Sequence, residues 1–390
     1  MVKLRICVIA PFGLHDDRAD AIRLRELFEQ MAKKSHSITY VGMGKAPESI
    51  PMIRQFAIHV PYVRKAWWPV FSALGVLFAF FLDAACRFDV FYFADIMTPF
   101  FGELVLKNLA MKKVVLEVNG VFSEVLIRVR GSPPSRFVRR AVLRFESHVL
   151  RNLSLCICVC EWLRGEVVRR GVDQEKAVVV PNGVDFEVFN PAVEGKEIAL
   201  KYGLGGYKVV TFVGAFTDQH DISLLVRAVK LVREARNDVR LLLVGDGPTR
   251  KEVEQLARRL ELKEDVVFAG RVPHGVVPKI LAASDVAVAP LTRSATVQEM
   301  IPLKVLEYWA MARPVVTTKA GVGGIPEAQN EQNVLIVNEE SGSMAEGIVR
   351  ILDDRELAAR LGENGRSETE RKYNWQNVAN QTETVLAQLT

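Results

Sequence analysis

Cysteine is scarce in this chain, and its few copies do not form the pattern of a disulfide framework. Five cysteines occur among 390 residues. Three of them, Cys156, Cys158 and Cys160, alternate in the run L-C-I-C-V-C, and a strand would point all three to one face. The loop that separates ligand pairs in zinc sites is missing. We therefore expect buried, reduced thiols and no metal centre.

Signatures of several other protein classes are missing as well. The apolar run at residues 4–10 ends at Pro11 without a small-residue cleavage site, which predicts a first β-strand and no signal peptide. Gly245-Asp246-Gly247 is followed by Arg250, so the G-x-G-x-x-G pattern of hydride-transferring enzymes fails. A Walker A sequence, an internal repeat and a low-complexity tract are also absent. These absences argue against a dinucleotide-dependent oxidoreductase and a P-loop enzyme.

The chain instead alternates short β-branched runs with longer helical patterns. Strands are predicted at residues 4–10, 38–42, 90–93, 114–118, 155–159, 209–213, 240–244, 266–268, 286–289, 315–317 and 334–337. Helices are predicted at residues 19–33, 137–150, 222–235, 249–260, 276–283 and 304–311. Continuously apolar strands separated by helices predict parallel sheets that are covered on both faces. At 390 residues, the chain is long enough for two such domains.

Two carboxylates, Glu299 and Glu307, lie eight residues apart where a predicted loop meets a helix. Pro302 suits the first turn of that helix, so Glu307 lies about one turn inside and Glu299 lies in the loop. Lys304 falls on the same helical face as Glu307. A helix N-terminus attracts phosphate, and carboxylates accept hydrogen bonds from sugar hydroxyls. The combination fits a nucleotide-sugar.

This stretch resembles the E-x7-E motif of retaining glycosyltransferases with the GT-B fold, family 4 (group 1). Further motifs match that family in order: P-N-G-V-D at 181–185, V-G-D-G-P at 244–248, V-A-V-A-P at 286–290, G-G-I-P-E at 323–327 and Y-N-W at 373–375. The resemblance implies an α/β fold of two Rossmann-like, doubly wound domains that face each other across a cleft. Its predicted parts are an acceptor-side domain at 1–186, a linker at 187–207, a nucleotide-sugar domain at 208–365, and a C-terminal helix at 366–390 packing on the first domain.

The resemblance also implies roles for individual residues. Glu307 would accept the ribose hydroxyls of the donor, and Glu299 would contact the transferred sugar. The backbone N–H groups of Ile301, Leu303 and Lys304 would hold the diphosphate. Further donor-binding candidates are Gly13, Gly214, His220, Gly245, Arg271 and Arg293. The catalytic candidates besides Glu299 are His15 and Asn119.

The loop after residue 213 departs from the family pattern. Many relatives carry an Arg after V-G and a Lys five residues later, where this chain has Ala215 and His220. The segment is more similar to a subset reading G-S-F-x-x-W-H-G, with Asp221 in place of the last Gly. Since a neutral imidazole supplies less charge than a lysine, we hypothesise that Lys304 and Arg293 supply the missing charge. The alternative is that both are solvated surface charges.

Fewer motifs match in the first half. Residues 10–13, A-P-F-G, follow the first strand where the family has a glycine-containing loop near the donor phosphate and acceptor, and His15 is a polar candidate there. L-E-V-N-G at 116–120 resembles the segment that lines the transferred sugar, with Glu117 and Asn119 at the carboxyl end of a strand. Many relatives have a His close to Asn119, and its absence leaves open which group positions the acceptor hydroxyl.

Positive charge and apolar character are both concentrated in the first half. Residues 1–190 hold 26 Lys/Arg against 19 Asp/Glu, and ten Arg fall within 128–170. The basic helix predicted at residues 137–150 fits either a solvated surface or contact with anionic lipid. Nucleic-acid binding is disfavoured, because the basic residues occur without interleaved aromatics and without any known nucleic-acid module. Residues 66–86 approach the length of a bilayer span, but Pro69 and Asp83 interrupt them. A buried core helix is the default interpretation, and an interfacial helix with Trp67 and Trp68 at the headgroups is the alternative.

The expected function is therefore that of a hexosyl- or related glycosyltransferase that uses a nucleotide-sugar and retains anomeric configuration. No D-x-D-like motif occurs in the predicted cleft segments, so neither a metal nor a cofactor is required. The expected acceptor is a glycan, a lipid-linked sugar or a small molecule, and no nucleic-acid partner is expected. The expected location is the cytoplasm, with peripheral contact at the inner face of the membrane. A nucleotide-sugar isomerase or hydrolase and a non-catalytic binding protein remain as alternatives on the same scaffold.

Overall fold

The computed structural model describes residues 3–16, 18–44, 50–60, 67–120, 136–292 and 301–390. Its contacts divide the chain into two compact units. Unit 1 comprises Met1–Asn182 and Trp375–Thr390, and unit 2 comprises Gly183–Asn374. Each unit is a Rossmann-like α/β domain built on one parallel sheet.

Unit 1 contains a seven-stranded sheet in the order β3-β2-β1-β4-β5-β6-β7. Its strands are β1 (Arg5–Ala10), β2 (Ser37–Met43), β3 (Ile53–Ile58), β4 (Val90–Phe93), β5 (Lys113–Val118), β6 (Leu155–Cys158) and β7 (Ala177–Val179). Its first five helices are α1 (Ala19–Lys33), α2 (Trp67–Cys86), α3 (Met97–Gly102), α4 (Arg136–Asn152) and α5 (Glu161–Arg169), and a π-helical turn at Glu103–Lys107 continues α3. The central strands are buried on both faces because helices cover each side.

The helices of unit 1 divide between the two faces of its sheet. α1 connects β1 to β2, which is a step toward the β3 edge of the sheet. α2, α3 and α4 each lead to a strand nearer the β7 edge, which is the opposite direction. Parallel crossovers are right-handed, so α2, α3 and α4 share the face opposite α1. The chain changes direction between β1 and β4, which makes this the topological switch point of the sheet.

Unit 2 contains a six-stranded parallel sheet in the order β10-β9-β8-β11-β12-β13. The strands are β8 (Lys208–Val213), β9 (Val239–Val244), β10 (Val266–Gly270), β11 (Val286–Ala289), β12 (Val315–Thr318) and β13 (Leu335–Val337). The helices are α6 (Lys196–Lys201), α7 (Ile222–Ala235), α8 (Arg250–Arg259), α9 (Val277–Ala282), α10 (Leu303–Ala310), α11 (Ser341–Asp353) and α12 (Arg355–Lys372). Every strand predicted for this half is present, and its switch point lies between β8 and β11.

The unit boundaries differ from the predicted domain boundaries. The predicted linker at 187–207 belongs to unit 2, where α6 buries Ile198 in a small core with Ile280 of α9. A six-residue helix is too short to show a clear period, which is why this segment read as a linker. Residues 366–374 also lie in unit 2. Only α13 (Trp375–Ala387) returns to unit 1, where it shares a core with α1.

Three further predictions for unit 1 concern its edge strands, its cysteines and α2. The edge strands β3 and β7 were not predicted, because β3 is partly polar and β7 has three residues. Cys156, Cys158 and Cys160 are buried free thiols, and the described residues contain no group of three or more His, Cys, Asp or Glu arranged to hold a metal. The core-helix interpretation of α2 holds for one face of the helix: Phe71, Val76 and Ala79 are buried, whereas the other face is exposed.

Candidate functional site

The switch point of unit 2 brings two loops together at the carboxyl ends of β8 and β11. The N–H of Asp221 donates to the Pro290 carbonyl at 2.7 Å, and the N–H of Thr292 donates to the Gln219 carbonyl at 3.1 Å. The Asp221 side chain also caps α7 by accepting from the Leu224 N–H at 2.8 Å. These bonds hold the loop after β8 in place where ligands bind in open α/β sheets.

Lys304 of α10 reaches this loop and contacts His220. The distance from Lys304 Nζ to His220 Nε2 is 2.8 Å, and the ammonium lies 4.5 Å from the centre of the Phe212 ring. His220 Nδ1 lies 2.9 Å from the Ala215 carbonyl, which can only accept a hydrogen bond. The imidazole therefore carries its proton on Nδ1 and accepts from Lys304 through Nε2. In this arrangement Nε2 is not a donor to phosphate.

The electrostatics make Lys304 the titrating group of the pair. Burial lowers the pKa of Lys304 to about 7, although the nearby Glu307 opposes the change. Burial, followed by the charge of Lys304, lowers the pKa of His220 to about 3. His220 is thus neutral at physiological pH, and Lys304 gains or loses its charge close to pH 7.

Two glycines create the space into which Lys304 extends. Gly214 has φ +152, and a Cβ there would lie 2.4 Å from Lys304 Nζ. Gly245 has φ +133, and a Cβ there would lie 1.9 Å from the Gly214 carbonyl oxygen. Both positions require glycine for conformation and for close approach. Gly214 therefore leaves room for the lysine, and Gly245 leaves room for the backbone of Gly214.

Glu307 is almost completely buried at 5% exposure and bonds to a residue that the sequence did not single out. His274 Nε2 lies 2.6 Å from Glu307 Oε1, and the Phe189 ring centre lies 5.3 Å from that of His274. Because a carboxylate only accepts, His274 donates. None of the described residues donates a hydrogen bond to Oε2, so that oxygen can receive a ligand hydroxyl. The available signal was the position of His274, four residues beyond β10 at the ligand-binding edge.

Helix α10 is fixed to the sheet by a second residue that the sequence did not single out. The Tyr308 hydroxyl lies 2.9 Å from the Val213 nitrogen and 3.3 Å from the Val213 oxygen, so it joins α10 to the end of β8. Pro302 precedes the helix in an extended conformation, with φ −70 and ψ 121, and α10 begins at Leu303. The N–H groups of Leu303 and Lys304 lie in the first turn, where a helix has no internal acceptor.

The other donor-side candidates are placed as follows. Ile301 is buried two residues before α10. Arg271 is exposed at the end of β10, next to Gly270, whose carbonyl accepts from the Gly245 N–H at 2.8 Å. Glu299 and Arg293 lie outside the described residues. The described structure thus brings together Gly214, Gly245, His220, Lys304 and Glu307, the last two on one short helix.

A second candidate site lies in unit 1, in a cavity of about 260 Å³ at the carboxyl ends of β1, β4 and β5. Glu117 is at its base and is 1% exposed. Arg23 Nε lies 2.9 Å from Glu117 Oε2, and the Tyr92 hydroxyl donates to the same carboxylate. Asn119 Nδ2 donates to Glu117 Oε1 at 2.9 Å. This network orients the Asn119 amide and leaves its Oδ1 as a hydrogen-bond acceptor at the cavity wall.

Gly13 and His15 lie in the loop between β1 and α1. The Gly13 N–H donates to the Asp16 carboxylate at 3.2 Å, which closes a short turn. His15 is exposed in that turn and does not line the cavity. Pro11 and Phe12 from the same loop do line it, so the loop reaches the cavity through apolar residues.

Comparison with known proteins agrees with both units. The family model described as Glycosyltransferase Family 4 matches residues 21–188, and the one described as Glycosyl transferases group 1 matches residues 207–354. An uncharacterized glycosyltransferase of Methanocaldococcus jannaschii, MJ1607, is 26% identical over 94% of this chain and 93% of its own length.

Two further proteins show the range of the similarity. The GDP-mannose-dependent monoacylated alpha-(1-6)-phosphatidylinositol monomannoside mannosyltransferase of Corynebacterium glutamicum is 27% identical over 53% of this chain and 55% of its own length. The crystal structure of Anabaena Alr3699/HepE in complex with UDP and glucose superposes with a TM-score of 0.77 and 18% identity, over 98% of this chain and 99% of that one. The two units therefore have the GT-B fold, and the chain is a glycosyltransferase of the family 4, group 1 type.

Proposed function

We propose that the enzyme binds a nucleotide-sugar at the switch point of unit 2 and transfers its sugar to an acceptor hydroxyl with retention. The observation that carries this proposal is the pairing of Lys304 and Glu307 on α10. One turn of helix presents an ammonium and a buried carboxylate beside free N–H groups. A nucleotide-sugar needs both features, because it joins an anionic diphosphate to neutral hydroxyls.

In this proposal the diphosphate lies against Lys304 and the N–H groups of Leu303 and Lys304. The positive end of the helix dipole and the ammonium then stabilise the same anion. Glu307, held by His274, accepts the ribose hydroxyls through Oε2. Glu299 contacts the transferred sugar, as the E-x7-E motif implies, and Arg293 and Arg271 add positive charge near the diphosphate. Anabaena Alr3699/HepE, which was crystallised in complex with UDP and glucose, supports this class of ligand.

The proposed chemistry is front-face substitution. The bond between the anomeric carbon and the diphosphate oxygen breaks, and its electron pair stays on the phosphate. The acceptor oxygen then bonds to the same face of an oxocarbenium-like sugar, and its proton passes to the departing phosphate. Charge that develops on the leaving oxygen is stabilised by groups already in place, which is electrostatic preorganisation. Since Lys304 and the helix supply that charge, we propose that the reaction requires neither a metal nor a cofactor.

We place the acceptor in the cavity of unit 1. Each arginine of its wall is paired with a carboxylate: Arg18 lies 2.5 Å from Asp20, and Arg170 bonds to Glu146. Glu117 bonds to Arg23, and Asp95 bonds to Thr98. A cavity whose arginines are already paired favours a neutral hydroxyl-bearing group over an anion. Asn119 Oδ1 would accept from the acceptor hydroxyl and orient it.

The acceptor class and the location are also proposals. The Corynebacterium relative is named for a phosphatidylinositol monomannoside, which is a glycolipid. This supports a lipid-linked acceptor, with a polysaccharide as the alternative. The buried free thiols of β6 fit a reducing compartment, and we propose the cytoplasm.

The first test is thermal unfolding with a panel of nucleotides and nucleotide-sugars. A ligand that binds only the folded state raises its stability, so one nucleoside diphosphate should raise the midpoint for the wild type. Glu307→Ala should abolish that rise, whereas Glu356→Ala, which removes an exposed carboxylate from α12, should keep it. No shift with any nucleotide would contradict the proposed donor site.

The second test separates the candidate activities. Release of nucleoside diphosphate only when an acceptor glycolipid or glycan is present would support a transferase, and NMR of the product would give the anomeric configuration. Turnover without any acceptor would instead support an isomerase or a hydrolase, and binding without turnover would support a silent binding protein. Activity should persist in EDTA, and a loss restored by a divalent metal would refute the metal-free mechanism.

A further inference from the structure

Helix α2 carries a continuous apolar stripe on its exposed side. Val70, Leu74, Leu77 and Phe81 are 45%, 45%, 44% and 72% exposed. Their spacing of four, three and four residues places them along one helical face. The opposite face, with Phe71, Val76 and Ala79, is fully buried against the sheet. α2 is thus firmly part of unit 1, and yet its outer face is as apolar as a core.

Helix α4 presents an exposed basic face. Arg136, Arg139, Arg140 and Arg144 are all exposed, and Phe137 is 81% exposed beside them. Within the described part of the chain none of these four arginines forms an ion pair or a hydrogen bond. Exposed arginines without an internal partner are available to pair with an external anion.

Contacts through α3 place the two features on one side of unit 1. The Ser72 hydroxyl of α2 lies 3.1 Å from the Thr98 hydroxyl of α3, and the Phe100 ring of α3 packs 5.1 Å from the Phe145 ring of α4. α2 and α4 also share one face of the sheet, as their crossover direction requires. We call the apolar stripe and the four arginines together the α2–α4 face.

We propose that the α2–α4 face docks on an anionic membrane, independently of the proposed catalytic function. Val70, Leu74, Leu77 and Phe81 enter the boundary between headgroups and acyl chains, and the arginines of α4 contact lipid phosphates. An apolar face flanked by cationic residues is the pattern of helices that lie in the membrane plane. α2 does not cross the bilayer in this arrangement, because its other face belongs to the core of unit 1. The anionic lipid surface complements the unpaired arginines.

The test is co-sedimentation of the full chain with two kinds of vesicle, phosphatidylcholine alone and phosphatidylcholine mixed with phosphatidylglycerol. Wild type should bind the anionic vesicles more strongly, and added salt should weaken that binding. Leu74→Glu with Phe81→Glu should reduce the partition coefficient roughly tenfold or more, since each loses the burial of a large apolar side chain. Arg140→Ala with Arg144→Ala should reduce it roughly 30-fold, from the contribution of each cation near an anionic surface.

Matched control variants lie in unit 2. Leu200→Glu replaces an apolar residue that is 76% exposed, and Arg258→Ala with Arg259→Ala removes two exposed arginines. These controls should bind vesicles like wild type, and all variants should keep the wild-type unfolding midpoint. A wild-type protein that does not bind anionic vesicles would overturn the proposal. So would apolar variants that bind unchanged, or self-association through α2 without vesicle binding.

Discussion

Donor affinity should fall as pH rises above 7, because Lys304 must carry a proton to neutralise the diphosphate. In the ligand-free protein, burial lowers the pKa of Lys304 to about 7 from an ordinary 10.5. A bound diphosphate favours the ammonium and raises that pKa again. Binding above pH 7 therefore includes uptake of a proton, which becomes harder with each pH unit.

The magnitude follows from the two pKa values. If the bound diphosphate restores the ordinary pKa, the difference of about 3.5 corresponds to about 5 kcal/mol of maximal coupling. The dissociation constant should then rise roughly tenfold between about pH 6 and pH 8, and roughly hundredfold by about pH 9. His220, with a pKa lowered to about 3, stays neutral over this range and adds no second inflection.

Isothermal titration with a nucleotide-sugar measures this dependence cleanly, because both of its phosphates are esterified and keep a constant charge. Lys304→Met should bind weakly at every pH and lose the slope. Lys279→Met is the matched control: Lys279 is exposed and pairs with Glu197 at 2.8 Å, so its loss should leave the slope intact. A flat wild-type profile, or a slope that survives in Lys304→Met, would refute the reasoning.

The same lysine should influence stability with a defined sign. Its folded pKa lies below its unfolded pKa, so between about pH 7 and 10.5 the unfolded chain binds more protons and stability rises with pH. Below about pH 7 Lys304 is charged in both the folded and the unfolded chain, so the folded state bears the full free-energy cost of burying that charge. Ligand-free Lys304→Met should therefore unfold at a higher temperature than wild type at pH 6, by several degrees. An equal or lower midpoint would show that the ammonium is better solvated than its burial implies.

Three further predictions concern other residues of the two sites. Gly214→Ala should weaken donor binding roughly tenfold or more by displacing the lysine, while Gly206→Ala, at φ +82 with open space around it, should bind normally; equal affinities in calorimetry would contradict this. Arg23→Met should lower the free energy of unfolding by about 3–5 kcal/mol, because it leaves a buried carboxylate unpaired, and a urea midpoint like that of wild type would refute it. His274→Ala should raise the dissociation constant of the nucleotide several-fold through a looser Glu307, and unchanged affinity would show that Glu307 needs no support.

The sequence predicted the fold of unit 2 well because its strands are continuously apolar and its motifs fall at strand ends. The helix at Ile222–Ala235 was predicted with the bounds that the structure shows. Elements with weak local signals were missed, such as the three-residue β7 and the short helix α6. Their formation depends on partners distant in the sequence, and no local pattern of residues encodes those partners.

The residues of the candidate site also divide into those with a local sequence signal and those that depend on distant partners. A resemblance in motifs located Glu307 and Lys304, since both lie in one continuous segment. His274 is 33 residues from Glu307, and the contact at 2.6 Å arises only when β10 and α10 meet at the same sheet edge. The sequence could also not predict that one face of α2 is exposed, because a core helix and an interfacial helix have similar composition. What remained hidden was the set of contacts between distant segments.

The contact between His220 and Lys304 links the affinity of the proposed donor site to pH. A lysine on an exposed loop would keep its charge throughout the physiological range, so its affinity for a diphosphate would hardly depend on pH. Here the cation comes from a helix, is shielded by Phe212, and is held by a neutral imidazole that cannot itself supply charge. Desolvation raises the strength of its interaction with a bound phosphate, but the same desolvation makes its charge conditional on pH. In the proposed donor site, the strength of diphosphate binding and its pH dependence therefore have one physical origin, and no single substitution at Lys304 should separate them.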